Sequence, residues 1–272
     1  MSEAGFAPED INTNQAHPAR MYDFYLGGKD NYEVDRGAAK RVMEHLPSVR
    51  KLARSNRDFL HRAVREVVGS GVRQIIDVGT GIPTSPNTHE VAREADPHAR
   101  VVYADNDPIV ATYAGAKLTN LGNAGFVLAD VRDPKAIIEH PTTRSLIDFD
   151  QPVAVMLVAV LHFISDAEDP KGIVETLTER LPTGSYLVLS HVSGDFDAGG
   201  DGDIQRAARV YDDATARFSL RGRDEVRALF EGFDLLEPGL VQPPEWRPGQ
   251  PLAADEDRSQ YPAYVGVGVK KG

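Results

Sequence analysis

An apolar, β-branched run that ends in an acid and breaks at once into a glycine turn constrains this chain most: Arg73-Gln74-Ile75-Ile76-Asp77-Val78-Gly79-Thr80-Gly81-Ile82-Pro83-Thr84. The run reads as a buried strand, and the glycine turn as the loop of a strand–loop–helix unit. Gly79 and Gly81 carry no Cβ, so the backbone there can approach a ligand closely. A dinucleotide fingerprint asks for a third glycine at position 84. Thr84 stands there instead, behind a stiffening Pro83. The loop is expected to serve a nucleoside ligand that has no pyrophosphate.

From Arg73 onward, strands and helices alternate. Strands read at 73–78, 100–105, 124–130, 152–160 and 185–192, and helices near 86–95, 108–119, 134–139, 169–181, 203–217 and 222–231. That rhythm predicts a parallel sheet covered on both faces. The end differs: 235–242 and 263–271 are strand-like but separated only by a Pro-rich loop, so they are expected to pair antiparallel at one edge. Upstream, Ser48 is placed to cap a long helix to about Val68, with a 3.6-residue apolar stripe running from Val49 to Val68. Asn56 falls on that stripe, where an amide must tie down a polar group or face a cavity. The organisation expected is a loose arm over 1–16, a helical lid over 17–70 and an α/β domain over 71–272. The lid reading rests on Tyr22, Tyr25 and Tyr32 crowded with Phe24 around Gly27-Gly28, in a segment with no evident core of its own.

The 272-residue chain is long enough for one large α/β domain, and its longest apolar run, residues 153–161, is about half of what a bilayer-spanning helix needs. No secretory leader pattern opens it, and it has no Cys, which excludes disulfides and thiolate metal sites. A net charge of −11 argues against nucleic acid as substrate. Residues 36–73 are locally basic, ten Lys/Arg against three acids, and read as the solvated faces of amphipathic helices. The eight His form no metal-binding spacing, and His17, His45 and His140 read as surface residues.

Ligands of open α/β sheets sit beyond the carboxyl ends of the strands. Asp105 closes the second strand and can accept from both hydroxyls of a ribose; Asp107, before Pro108, fits the helix N-cap. Asp130 closes the third strand and can accept from an adenine amine, while the Val131 backbone reads the ring edge. The fourth strand runs into Leu161-His162.

Asp77-Val78-Gly79-Thr80-Gly81 resembles motif I of class I S-adenosylmethionine-dependent methyltransferases. Leu161-His162 resembles the segment that lies beside the cofactor in small-molecule O-methyltransferases, where the His is a base in some members. Pro18-Ala19-Arg20-Met21-Tyr22-Asp23, Leu26-Gly27-Gly28-Lys29-Asp30-Asn31, Asn56-Arg57, the Asp105–Pro108 turn, Asp130 and Pro244-Glu245-Trp246-Arg247-Pro248 extend the likeness over nearly the whole chain. Together they resemble a bacterial, largely actinomycete family of S-adenosyl methyltransferases.

The resemblance implies a Rossmann-like class I sheet of five parallel strands plus an antiparallel edge pair, S-adenosylmethionine as cofactor, and a cytoplasmic setting. It names no acceptor; a small molecule with an O or N nucleophile is expected, with no nucleic acid, membrane or metal involved. Under it Gly79, Thr80 and Gly81 meet the methionine portion, Asp105 the ribose, Asp130 the adenine with the Val131 backbone at the ring edge, and the Ala159 backbone the amino group, with Asp77 and Asn106 also in the cofactor site. Tyr22, Tyr25 and Tyr32 close over the site, and Asn56 and Arg57 reach a carboxylate. His162 is the expected base, with His191 as its competitor. Two other classes share parts of the pattern: a NAD(P)-dependent oxidoreductase, which needs the missing glycine, and a non-catalytic S-adenosylmethionine-binding regulator, which needs no base.

Overall fold

Seven strands form one sheet in the order β3-β2-β1-β4-β5-β7-β6. They are β1 Gln74–Val78, β2 Arg100–Asp105, β3 Ala124–Leu128, β4 Ala154–Val158, β5 Tyr186–Val192, β6 Phe233–Leu235 and β7 Ala263–Lys270. The computed structural model describes residues 12–118, 121–197 and 202–272. β1 pairs in parallel with β2 on one side and β4 on the other, Ile76 lying opposite both Val102 and Val155. β7 runs antiparallel to β5, and β6 antiparallel to β7. This is the class I methyltransferase sheet, and the strand order reverses between β1 and β4, where open α/β sheets bind ligands.

Ten helices accompany the sheet in the described residues: α1 Pro18–Leu26, α2 Glu33–His45, α3 Val49–Gly69, α4 Thr88–Ala95, α5 Pro108–Leu118, α6 Pro134–Ile138, α7 Pro141–Leu146, α8 Pro170–Thr178, α9 Asp203–Arg209 and α10 Arg223–Ala228. Several elements depart from expectation. β6 is shorter and earlier than 235–242, because Pro238 lacks an N–H and Gly239 turns at φ 84°; only Val241 still bridges to Val265. The helix expected over 203–217 stops at Arg209 and tightens into a 3₁₀ turn over Val210–Asp213. Beyond it, the Thr215 N–H donates to the Ala16 carbonyl instead of to a helical partner. α7 lies where no helix is expected; Pro141 at its first turn and the His140 ring accepting from Thr142 N start it. Ser48 precedes α3 but makes no side-chain cap bond.

Strand alternation divides the core. Ile76, Val102, Val155, Leu157, Leu187 and Leu189 pack on one face with α8 and α10. Ile75, Val101, Met156, Val188, Val265 and Val267 pack on the other, against Phe59–Val68 of α3 and Trp246. Trp246 is fully buried, its ring edge-on to Phe59 at 5.4 Å. Arg62 fastens that loop to α3 by donating to the carbonyls of Trp246 (2.8 Å) and Pro243 (2.7 Å).

α1 and α2 share a third cluster, in which Met21, Tyr25, Ala38, Ala39 and Val42 pack with Val49 and Ala53 of α3 and with Ala207 and Tyr211. Thus the first half of α3 serves this helical layer and the second half serves the sheet. Residues 17–45 thus bury their apolar side chains in a cluster shared with α3 and with Ala207 and Tyr211, and among the described residues have no core apart from it. Gly27 is the left-handed C-cap of α1. A Cβ on Gly28 would sit 1.9 Å from Asp23, whose carboxylate accepts from Asp30 N and Asn31 Nδ2. The Gly-Gly pair is a folded corner here. Of the expected arm, residues 1–11 lie outside the described residues, while Gln15 donates to the Ala214 carbonyl. Among the described residues, no helix is long and apolar enough to cross a membrane.

Candidate active site

The carboxyl ends of β1, β2 and β4 open into a cavity of about 410 Å³, roofed by α1 and the start of α3. Its floor is backbone that only special residues can supply. Gly79 and Gly81 have φ of 68° and 66°, and a Cβ on Gly79 would lie 2.3 Å from Val160 Cγ2. Ala159, after β4, takes φ 61°, a strained state for a residue with a side chain. Ser190 on β5 holds it, its hydroxyl accepting from Ala159 N at 2.8 Å. Gly79, Thr80, Gly81, Ala159 and Ser190 all line the cavity.

Two buried carboxylates stand in this floor. Asp105 accepts from Gly81 N (2.8 Å, Oδ2) and Asp107 N (3.0 Å, Oδ1), which leaves each oxygen a second lone pair. Desolvation raises its pKa to about 6, against these donors. Asp77 accepts from Thr88 Oγ1 at 2.6 Å, and burial raises it to about 6 as well, opposed by that bond and by the Arg57 charge. Asp107 does cap α5, accepting from Ile109 N at 2.9 Å. Its other oxygen lies 3.2 Å from both Arg20 Nε and His17 Nδ1. His17 is therefore a cavity residue, correcting its surface assignment, and burial lowers its pKa despite Asp107.

The remaining expected residues divide. Tyr22, Tyr25, Asn56, Arg57, Asn106 and Val131 line the cavity. Asn56 donates to the Tyr22 hydroxyl (3.0 Å), which donates to the Ala53 carbonyl (3.0 Å), so the amide ties α1 to α3 while facing the cavity. Arg57 directs Nη2 at the Thr84 and Pro86 carbonyls, clamping the loop after β1. Asp130 and Tyr32 are outside the wall. The Asp130 carboxylate accepts from Asn106 Nδ2 at 2.8 Å and pairs with Arg132 at 3.2 Å, so two residues that line the cavity hold it from behind. Tyr32 is 41% exposed, its ring against the Arg20 guanidinium.

His162 lines the cavity in a neutral state. Burial, then His191 and the Arg221 guanidinium, lower its pKa well below the ordinary imidazole value, and Nδ1 has no hydrogen-bond partner among the described residues. Its ring stacks on Phe218 at 4.4 Å. His191 is not free to compete: it meets the Val192 carbonyl through Nδ1 (2.7 Å) and accepts from Arg221 Nη1 through Nε2 (2.9 Å), and burial lowers its pKa to about 4. Arg221 also donates to the carbonyls of Leu161 and Ile164 and to Asp166, fixing the turn that carries His162. Sequence reasoning misses Arg221 and Ser190, which stand in no local pattern. It also passes over Arg20, buried beside the cavity with Asp35 and Asp107, although that residue belongs to the Pro18–Asp23 motif.

The sheet order and the glycine-floored cavity beneath Asp105 define a class I methyltransferase. The chain belongs to the S-adenosyl methyltransferase family, whose sequence profile matches residues 4–271. S-adenosylmethionine is accordingly its cofactor. A DUF574 family protein from Streptomyces avermitilis MA-4680 is similar in structure, with a TM-score of 0.91 and 40% identity over 96% of this chain and 100% of that one. A candidate methyltransferase of Thermobifida fusca YX aligns with a TM-score of 0.90 and 38% identity, over 97% of this chain and 98% of the other. An ornithine lipid N-methyltransferase of Singulisphaera acidiphila is 27% identical over 100 residues, 37% of this chain. The match spans about half the length of that curated relative, 51%.

Proposed function

We propose that the protein transfers a methyl group from S-adenosylmethionine to the O or N nucleophile of a small molecule, in the cytoplasm. The observation that carries the site assignment is the buried Asp105 carboxylate, anchored by backbone N–H groups and keeping lone-pair capacity beside a floor where a Cβ would collide. A ribose diol suits those lone pairs. Gly79, Thr80 and Gly81 leave room for the methionine portion, with Asp77 beneath them. The Ala159 backbone, held by Ser190, suits an amino group, and Asn106 and Val131 flank the adenine side. Asp130 acts through Asn106 and Arg132. Tyr22, Tyr25 and Asn56 exclude water from above, and Arg57 holds the loop in shape. Tyr32 supports Arg20 from outside.

The cofactor when bound supplies a methyl group already activated by its sulfonium, so the protein's task is alignment and exclusion of water. His162 supplies an uncharged ring on the acceptor side and is the group proposed to take a hydroxyl proton. Its lowered basicity means that it holds that proton only in passing. Titration calorimetry tests the cofactor assignment: S-adenosylmethionine and S-adenosylhomocysteine should bind and NAD should not. Binding of NAD with no response to either sulfur nucleoside would overturn it. His162→Gln should leave S-adenosylhomocysteine affinity unchanged and slow turnover by about 10²–10⁴-fold; full activity would reduce His162 to a wall residue.

A further inference from the structure

The cavity is divided by charge. Arg20, Arg57, Asp77, Asp105, Asp107 and Arg132 line it around the ends of β1 to β3. The lining from α2, the start of α3 and residues 204–218 presents Val42, Leu46, Val49, Ile204, Ala208 and Ala216, with no charged side chain among the described residues. An aromatic cluster lines the same cavity. Phe218 lies 4.4 Å from His162, 5.2 Å from Phe163 and 5.1 Å from Tyr211, centroid to centroid. Tyr211 meets Tyr25 through their hydroxyls at 3.1 Å. Burial raises both phenols, Tyr211 to about 12, so they stay uncharged. His162 is neutral for the same reason.

We infer that this wall is the methyl-acceptor subsite, and that the acceptor is a flat, uncharged aromatic molecule carrying a hydroxyl. The inference rests on the methyltransferase function proposed above. An ionised acceptor would lose its hydration among Val42, Ile204 and Ala208 and find no counter-charge there. A flat ring gains edge and face contacts with Phe218, Phe163 and Tyr211 that an aliphatic ring of equal size does not. The polar side chains in this wall, the Tyr25–Tyr211 pair, Thr215 and His162, are all uncharged and suit a hydroxyl. The hydroxyl oxygen forms the new bond to the methyl carbon with a lone pair, the carbon–sulfur pair returns to sulfur, and the proton leaves through His162 to solvent.

The test is equilibrium binding of β-naphthol to the full chain saturated with S-adenosylhomocysteine, beside a hydroxynaphthoate and the saturated analogue decalol. β-Naphthol should bind at least about tenfold tighter than either. Phe218→Leu, which keeps the wall apolar, should weaken β-naphthol by about two- to tenfold and leave S-adenosylhomocysteine affinity as it was; that affinity also shows that the variant is folded. Tyr211→Phe offers a second, milder probe of the same wall. Equal or better binding of the hydroxynaphthoate or decalol overturns the inference while the methyltransferase function stands. Failure to bind S-adenosylhomocysteine at all is the separate result that removes the function beneath it.

Discussion

Replacing Asp105 by Asn removes one negative charge from the cavity floor and changes the side chain's size hardly at all. In the ligand-free protein that charge is unfavourable. Burial lifts the Asp105 pKa from 3.8 to about 6, so the folded state holds a proton between those values that the unfolded chain has released. Stability contributed by the group is full below about pH 4 and lost as pH rises through about 6, roughly 3 kcal/mol in all. Asn escapes that loss but presents an NH₂ to either Gly81 N or Asp107 N, giving up one hydrogen bond, about 1–2 kcal/mol. The variant should therefore be as stable as the parent near pH 7.5, or slightly more so. Ligand affinity runs the other way, since ribose hydroxyls donate best to the ionised form. Loss of a charge-assisted acceptor should weaken S-adenosylhomocysteine by about 1.5–3 kcal/mol, roughly 10- to 150-fold. Calorimetric titrations from about pH 5 to 8 measure both effects. The parent should lose affinity by up to about tenfold per unit below pH 6. The variant should lose Asp105's share of that slope and keep any part owed to Asp77, which titrates in the same range. Unchanged affinity in Asp105→Asn, with the full slope retained, would refute the ribose assignment and turn attention to Asp107.

The same geometry sets other expectations. Gly79→Ala forces a Cβ to 2.3 Å from Val160 Cγ2 at φ 68°, so S-adenosylhomocysteine affinity should fall more than about tenfold; adding Val160→Ala should recover part of the stability, measured by urea unfolding. Arg221→Met leaves the buried carbonyls of Leu161 and Ile164 without their donor, while Asp166 stays solvated, and should destabilise by about 1–3 kcal/mol. It should also raise the His191 pKa, because the Arg221 charge lowers it; an NMR titration in which His191 does not move would show that the network is ornamental. Protease cleavage at Gly27-Gly28 should be slow and equal with and without S-adenosylhomocysteine, given the α1–α2 cluster and the Asp23 lock. Marked protection by ligand would support a closing lid.

Local sequence determined the parts of this protein whose physics is local. The apolar runs at Ile75, Val101, Val155 and Leu187 declared buried strands, the helical periods between them required parallel pairing, and the proline-rich loop before β7 allowed only an antiparallel edge. The glycine turn and the acid ending β2 marked the ligand end of the sheet, because close backbone approach and a strand-end carboxylate have few other uses. Tertiary structure alone decided which polar groups meet. Asp130 was as well placed in sequence as Asp105, yet Asn106 and Arg132 reach it first. His17 looked like a surface residue until Asp107, ninety positions on, came within 3.2 Å of it. His162 and His191 were rivals in sequence; Arg221 separates them by bonding one ring and lowering the basicity of both. Phe218 and Tyr211, which no periodicity singled out, became an acceptor wall because α9 ends early and the chain after it runs back toward Ala16. Burial, charge pairing and ring contact depend on distances between elements, and those distances exist only once the sheet and its helices are assembled.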